Sequence, residues 1–170
     1  SPFDYWQNTV IVVKPGETVA CAIQKIIGRA KPGSIALLRF LGHGRAGAQA
    51  VSAGKGDLNV GNALMNAKMW DPCYRNLLFR VGTYMCRYGS AELHGCLTGR
   101  GAEGAQLLYQ LACLWEVPVS AGTWYQYDAG SNRTVFNFEG NVKTVYPGGL
   151  CLKTWASQHA LKGFKARNAV

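Results

Sequence analysis

Acidic residues are scarce in this 170-residue chain: 9 Asp and Glu stand against 18 Lys and Arg, a formal charge of +9 at pH 7. No acid occurs from Thr18 to Gly56, between Asp71 and Glu92, or after Glu139. Long hydrophobic runs are missing as well. None approaches the roughly 18–20 apolar residues that span a bilayer as a helix, so a transmembrane segment is not expected. There is no Cys-x-x-Cys pair and no His/Cys spacing of a zinc site, so no metal is expected. Six cysteines in a chain of this length do not make a disulfide-held miniprotein. No internal repeat, low-complexity segment or linker is visible. Ser1 is not followed by a signal-peptide pattern, and the start reads as that of an excised domain or a processed chain.

What is present is a core-forming composition. Hydrophobic residues make up 48% and aromatics 11%, enough apolar surface to offset the entropy of ordering. The length fits one domain over residues 1–170, with a core at about 9–146 and a basic helix or tail at 150–170. The positive charge falls in blocks: Lys25 to Lys55, then Arg75, Arg80 and Arg87, then Lys143 to Arg167. Such blocks attract polyanions, or they are a solvated basic face. The five tryptophans do not interleave with Lys and Arg as a base-stacking surface requires, so nucleic acid is not the expected partner.

The apolar pattern alternates between strand and helix periods. Thr9–Val13 reads as a buried strand closed by Lys14-Pro15-Gly16. Glu17–Arg29 has apolar residues at helical spacing. Ser34–Leu41 is apolar almost throughout, as in a parallel strand buried on both faces. Gly42–Gly47 reads as an irregular glycine-rich loop, and Gly54–Asn66 has room for a short helix. Asp71-Pro72 is a helix start, with the helix running to about Arg87. Ser90–His94 is a short strand, Ala102–Trp115 a helix, and Val117–Ala121 a strand. Trp124–Tyr127 and Thr134–Glu139, separated by turn formers, read as a hairpin. Val142–Tyr146 is a further strand and Trp155–Phe164 a terminal helix. This order predicts an α/β fold with a mainly parallel sheet. Cys21, Cys86 and Cys113 fall on inner helix faces, while Cys73 and Cys151 lie near element ends and form a candidate disulfide.

In open α/β sheets, chemistry gathers where strands end at their carboxyl side. Two such ends carry reactive residues. Cys96 follows one strand and precedes a long helix, whose N-terminal dipole favours a thiolate. His43 follows another strand, between two glycines, and Gly44 lets a backbone N–H approach a substrate closely. The amides of Gly44 and Cys96 are candidates for an oxyanion hole. An inert buried thiol and an idle loop histidine are the alternative. His94, two residues from Cys96, competes with His43 as a base.

The segments Leu41-Gly42-His43-Gly44-Arg45 and His94-Gly95-Cys96-Leu97, each closing an apolar strand, resemble the histidine and cysteine motifs of the caspase-like (clan CD) cysteine peptidases. The histidine segment especially resembles that of the autoprocessing domains of bacterial toxins, and the stretch also resembles the caspase-like domain of large bacterial surface proteins. The resemblance covers Ile35 to about Val145. It implies a three-layer α/β/α sandwich with a C-terminal hairpin flap, and Cys96 as nucleophile of a peptide-bond hydrolase with His43 as general acid/base. It further implies Gly44 and Cys96 amides as oxyanion hole, and a substrate pocket lined by Ser120, Trp124 and Tyr125. No cofactor is required. The flap, Trp124–Glu139, corresponds to the one that responds to inositol hexakisphosphate, an anion the basic blocks suit. The setting implied is a secreted or delivered bacterial toxin or effector acting on protein. Two other functions stay open: the same dyad in deamidation or amide hydrolysis, and a catalytically silent caspase-like scaffold binding an anionic partner.

Overall fold

The computed structural model describes residues 9–52, 56–59, 72–127 and 137–159. Their elements run α1 (Val19–Arg29), β1 (Ile35–Phe40), β2 (Gly44–Arg45), β3 (Ala48–Ser52), β4 (Gly56–Asn59), α2 (Pro72–Tyr84), β5 (Met85–Leu93), α3 (Gly101–Trp115), β6 (Val119–Gly122), β7 (Val142–Val145), a 3₁₀ turn (Pro147–Gly149) and α4 (Leu152–His159). The main sheet has the order β1-β5-β6-β7. The β1–β5 and β5–β6 pairs are parallel, and β7 joins antiparallel. A second, small antiparallel sheet has the order β2-β3-β4.

Each helix follows from its sequence. In α1, Val19, Ala22, Ile23 and Ile26 form one buried stripe. Thr18 caps it, its hydroxyl accepting from the Cys21 N–H at 3.2 Å. Lys31-Pro32-Gly33 ends it, with Gly33 at φ +69°. In α3, Leu107, Leu108, Leu111 and Trp115 are fully buried, each worth about 1.5–3 kcal/mol of apolar transfer. The Trp115 indole N–H donates to the Leu78 carbonyl of α2 at 3.0 Å, and its ring stacks on Phe40 of β1 at 5.9 Å. Helices α1, α2 and α3 pack side by side and share one core with the sheet.

The sheet has two unlike faces. Leu38, Ala91, Val119 and Val145 form one cross-strand row, and Phe40, Leu93 and Ala121 belong to the next; both rows join the core. The intervening row, Arg39, Glu92, Ser120 and Thr144, faces the other way and is polar across all four strands. Within it Arg39 Nε donates to Glu92 at 2.6 Å, and Ser120 and Thr144 share a hydroxyl bond of 2.7 Å. His94 Nε2 lies 2.9 Å from the same Glu92 oxygen, and its ring stacks on Phe138 at 4.2 Å.

Several expectations are corrected. Ser34–Leu41 is not a strand buried on both faces: among the described residues β1 lies at the edge of the sheet, and Leu37 is 40% exposed. Thr9–Val13 forms no strand: it has no ladder partner among the described residues, and Val10 and Val12 are exposed. The Gly42–Gly47 loop contains β2, and Gly54–Asn66 contains β4 in its described part. The helix expected to reach Arg87 stops at Tyr84. Met85 continues the helical stripe of Val81 but also opens the alternating set Met85, Gly89, Ala91, Leu93, so periodicity alone does not place the boundary. Trp124–Tyr127 carries no strand ladder, and residues 128–136 of the expected hairpin lie outside the described residues. Asp71 lies outside them too, as does the side chain of Cys73, which sits in α2. Cys151 is an exposed free thiol; Cys113 is exposed rather than core.

The polar row makes a pH prediction. Burial opposes the charge on Glu92, but hydrogen bonds from His94 and Arg39 outweigh it and hold its pKa below the usual carboxylate value near 4.5. A lowered folded pKa means stability that is complete above the unfolded pKa and lost as pH falls through the folded one. Thermal melts should therefore fall more steeply below about pH 4.5 for the wild type than for Glu92→Gln, with Glu92→Gln the less stable at pH 7. Parallel acid limbs for the two proteins would contradict this role.

Candidate active site

The register of β1 and β5 sets the site. Phe40 pairs with Leu93, and His43 and Cys96 each follow three residues later, past the carboxyl ends of adjacent parallel strands. The two segments then touch. A Cβ on Gly44 would lie 2.7 Å from Gly95 Cα and closer still to Thr98 Oγ1. A Cβ on Gly95 would lie 2.8 Å from Gly44 Cα. Only glycine at both positions allows this approach. Beyond it, the Ala46-Gly47 turn packs on the first turn of α3, at Glu103.

Two side chains stitch the segments, and they are the only fully buried polar ones among the described residues: Gln49 and Thr98. The Gln49 carboxamide accepts from the Gly95 N–H at 2.7 Å. It donates to the Ala50 carbonyl at 3.0 Å and, more weakly at 3.5 Å, to the His43 carbonyl. The Thr98 hydroxyl donates to the Ala48 carbonyl at 3.1 Å, while the Thr98 carbonyl accepts from the Gly47 N–H at 3.1 Å.

The amides proposed for an oxyanion hole can be followed through this pairing. Gly44 opposes Gln49, and the neighbouring bond runs from the Ala50 N–H to the His43 carbonyl. Gly44 is therefore at a non-hydrogen-bonded pair, and its N–H points away from β3. The Cys96 N–H has no hydrogen-bond acceptor among the described residues. The imidazole of His43 is exposed and makes no hydrogen bond among them.

Cys96 is half-buried, and its sulfur lies 3.3 Å from both the N–H and the carbonyl of Gln126. The thiol thus sits against the segment that leaves β6. That segment is tied down by Leu97 N–H to the Trp124 carbonyl and Gly99 N–H to the Gly122 carbonyl. The Gln126 side chain closes it, bonding the carbonyls of Trp124, Tyr125 and Glu139 and accepting from the Glu139 N–H. Trp124, Tyr125 and Tyr127 are 53%, 44% and 68% exposed, and their rings form one aromatic run on the segment whose Gln126 peptide meets the thiol. Arg100 lies over the Trp124 ring at 5.6 Å. Leu97, next to the thiol, holds a left-handed φ of 61°, a conformation that concentrates at functional loops.

Of the residues singled out from sequence, Gly44 and the glycine before Cys96 meet backbone to backbone, which makes the His43 and Cys96 segments neighbours, and the Trp124 carbonyl is bonded by Leu97, next to Cys96. Ser120 lies back in the sheet, bonded to Thr144. His94 is turned to Glu92 and Phe138. Gln49, Thr98 and Gln126 carry no chemical motif: Gln49 and Thr98 bond across 46 and 50 residues, and the Gln126 peptide meets Cys96 across 30. A separate cavity of about 510 Å³, lined by Met85, Arg87, Glu116, Pro147, Leu150 and Trp155, lies at the opposite end of β5. Among the described residues, no cluster of His, Cys, Asp and Glu is placed to hold a metal ion, and no helix is long and apolar enough to cross a membrane. Comparison with known protein families, curated proteins and solved structures finds no match for the chain.

The glycine contact is testable. Gly44→Ala should destabilise by about 1–3 kcal/mol through overpacking. Gly28→Ala, in α1 with no atom within 4 Å of the new methyl, should stabilise by about 0.5–1 kcal/mol. Urea titration of both variants checks the pair; a neutral Gly44→Ala would show that the two segments do not meet.

Proposed function

We propose that the chain is a cysteine hydrolase of caspase-like fold that cleaves peptide bonds with Cys96 and His43. The observation that carries this reading is the Gly44–Gly95 backbone contact, which brings the two strand ends together. His43 takes the thiol proton as the Cys96 sulfur attacks the scissile carbonyl, forming a C–S bond. The amides of Gly44 and Cys96 receive the developing oxyanion. His43 then passes the proton to the leaving nitrogen as the C–N bond breaks. Water attacks the thioester, the C–S bond breaks, and the thiol is restored.

Trp124, Tyr125 and Tyr127 offer the substrate chain an aromatic wall beside the sulfur. Cys96 must leave the Gln126 peptide to attack, so the segment after β6 acts as a flap. A polyanion such as an inositol phosphate, held by the basic blocks, is the activator assigned to that flap. The resemblance to toxin autoprocessing domains assigns the activity to a delivered bacterial effector. No observation favours the deamidase or the silent scaffold over this reading.

The test is chemical labelling. Peptidyl acyloxymethyl ketones carrying each amino acid next to the ketone are incubated with the folded protein, and modified cysteines are mapped by mass spectrometry. Cys96 should react ahead of the more exposed Cys113 and Cys151, and His43→Ala should slow it roughly 10²–10⁴-fold. Labelling that simply follows exposure, and is indifferent to His43→Ala, would sink the dyad.

A further inference from the structure

We infer that Gln49 is the positioning residue of this site: a single buried carboxamide that sets the spacing of the His43 and Cys96 segments. The inference rests on reading His43 and Cys96 as a catalytic pair. Gln49 is fully buried in a segment otherwise made of Ala48, Ala50 and Val51. A buried amide is retained only if its donors and acceptor are met, and here each is met by backbone. One end is bound to the N–H of Gly95, directly before the nucleophile. The other end reaches the carbonyl of His43 itself and the carbonyl of Ala50. The Ala50 N–H in turn donates to that same His43 carbonyl at 2.8 Å. His43 and Cys96 are thus joined through one side chain rather than through a long path of loops.

The arrangement explains why β2 and β3 exist. A glycine-rich loop from Gly42 to Gly47 would leave His43 free to wander. Folding it back as a hairpin brings Gln49 beneath Gly95, so the histidine segment is held from its own continuation. The hydrogen bonds of the Gln49 carboxamide go to backbone and not to the imidazole or the sulfur. Its effect should therefore appear in the rate of reaction and not in the affinity for substrate, because a displacement of about 1 Å can lower a rate about 10²-fold.

The experiment is a double-mutant cycle on the acyloxymethyl ketone reaction at Cys96, using wild type, Gln49→Met, His43→Ala and the double variant. The limiting rate of inactivation and the half-saturating concentration are measured separately. Iodoacetamide alkylation of Cys96 and thermal melts report exposure and folding. Gln49→Met should lower the limiting rate about 10–100-fold, with half-saturation and alkylation changed by no more than about threefold. The double variant should be no more than about threefold slower than His43→Ala, since Gln49 acts through a histidine no longer present. If Gln49→Met does not fold, Gln49→Glu keeps the size and the acceptor for Gly95 while removing the donor, and should show the same non-additivity. Wild-type rates in a folded Gln49 variant, or effects that multiply in the double variant, would overturn the inference. A His43→Ala protein that reacts at the wild-type rate would instead overturn the dyad, and the inference with it.

Discussion

The backbones of Gly44 and Gly95 meet with no room for a side chain at either position, and the rest of the candidate site depends on that contact. Two parallel strands in register deliver their carboxyl ends side by side, but strand ends alone leave loops free to diverge. The glycine contact removes that freedom, and Gln49 and Thr98 fill the hydrogen bonds that the close approach would otherwise strand. Both are buried where an unmet polar group would cost about 1–3 kcal/mol. That cost makes the junction selective: it favours the arrangement in which both buried side chains find their backbone partners.

The rest of the fold divides labour around this junction. The helix-facing rows of the sheet supply the apolar core, with Trp115 binding α3 to α2 and stacking on the last residue of β1. The polar row on the other face ties β1 to β5 through Arg39 and Glu92, one register step before the strands end. The segment after β6 then meets the thiol through the Gln126 N–H and is held by the Leu97–Trp124 backbone bond and the Gln126 side chain. Each element thereby bears on where the His43 and Cys96 segments stand.

Much of this was legible in the residues. Helices α1 and α3 and strands β1, β6 and β7 follow from apolar period and breakers, because their burial is one-sided or continuous. His43, between two glycines, and Cys96, directly after one, stand out because they close such strands. The start of β5 was not legible, since Met85 satisfies helix and strand periods alike. Nor was the β2–β3 hairpin, whose glycines read as disorder of pattern until Gln49 finds Gly95 across 46 residues. A buried amide announces itself only through its partners, and those are tertiary. The edge position of β1 was hidden for the same reason: an apolar strand sequence does not say how many neighbours it has.

The most direct measurement of the central claim is a comparison of new protein N-termini in cells expressing the wild type and Cys96→Ala at equal levels. The expected result is a set of termini that appears with the wild type, shares a common residue before the cut, and is absent with Cys96→Ala. Identical terminal profiles from the two proteins would contradict the assignment of Cys96 as the nucleophile of a peptide-bond hydrolase.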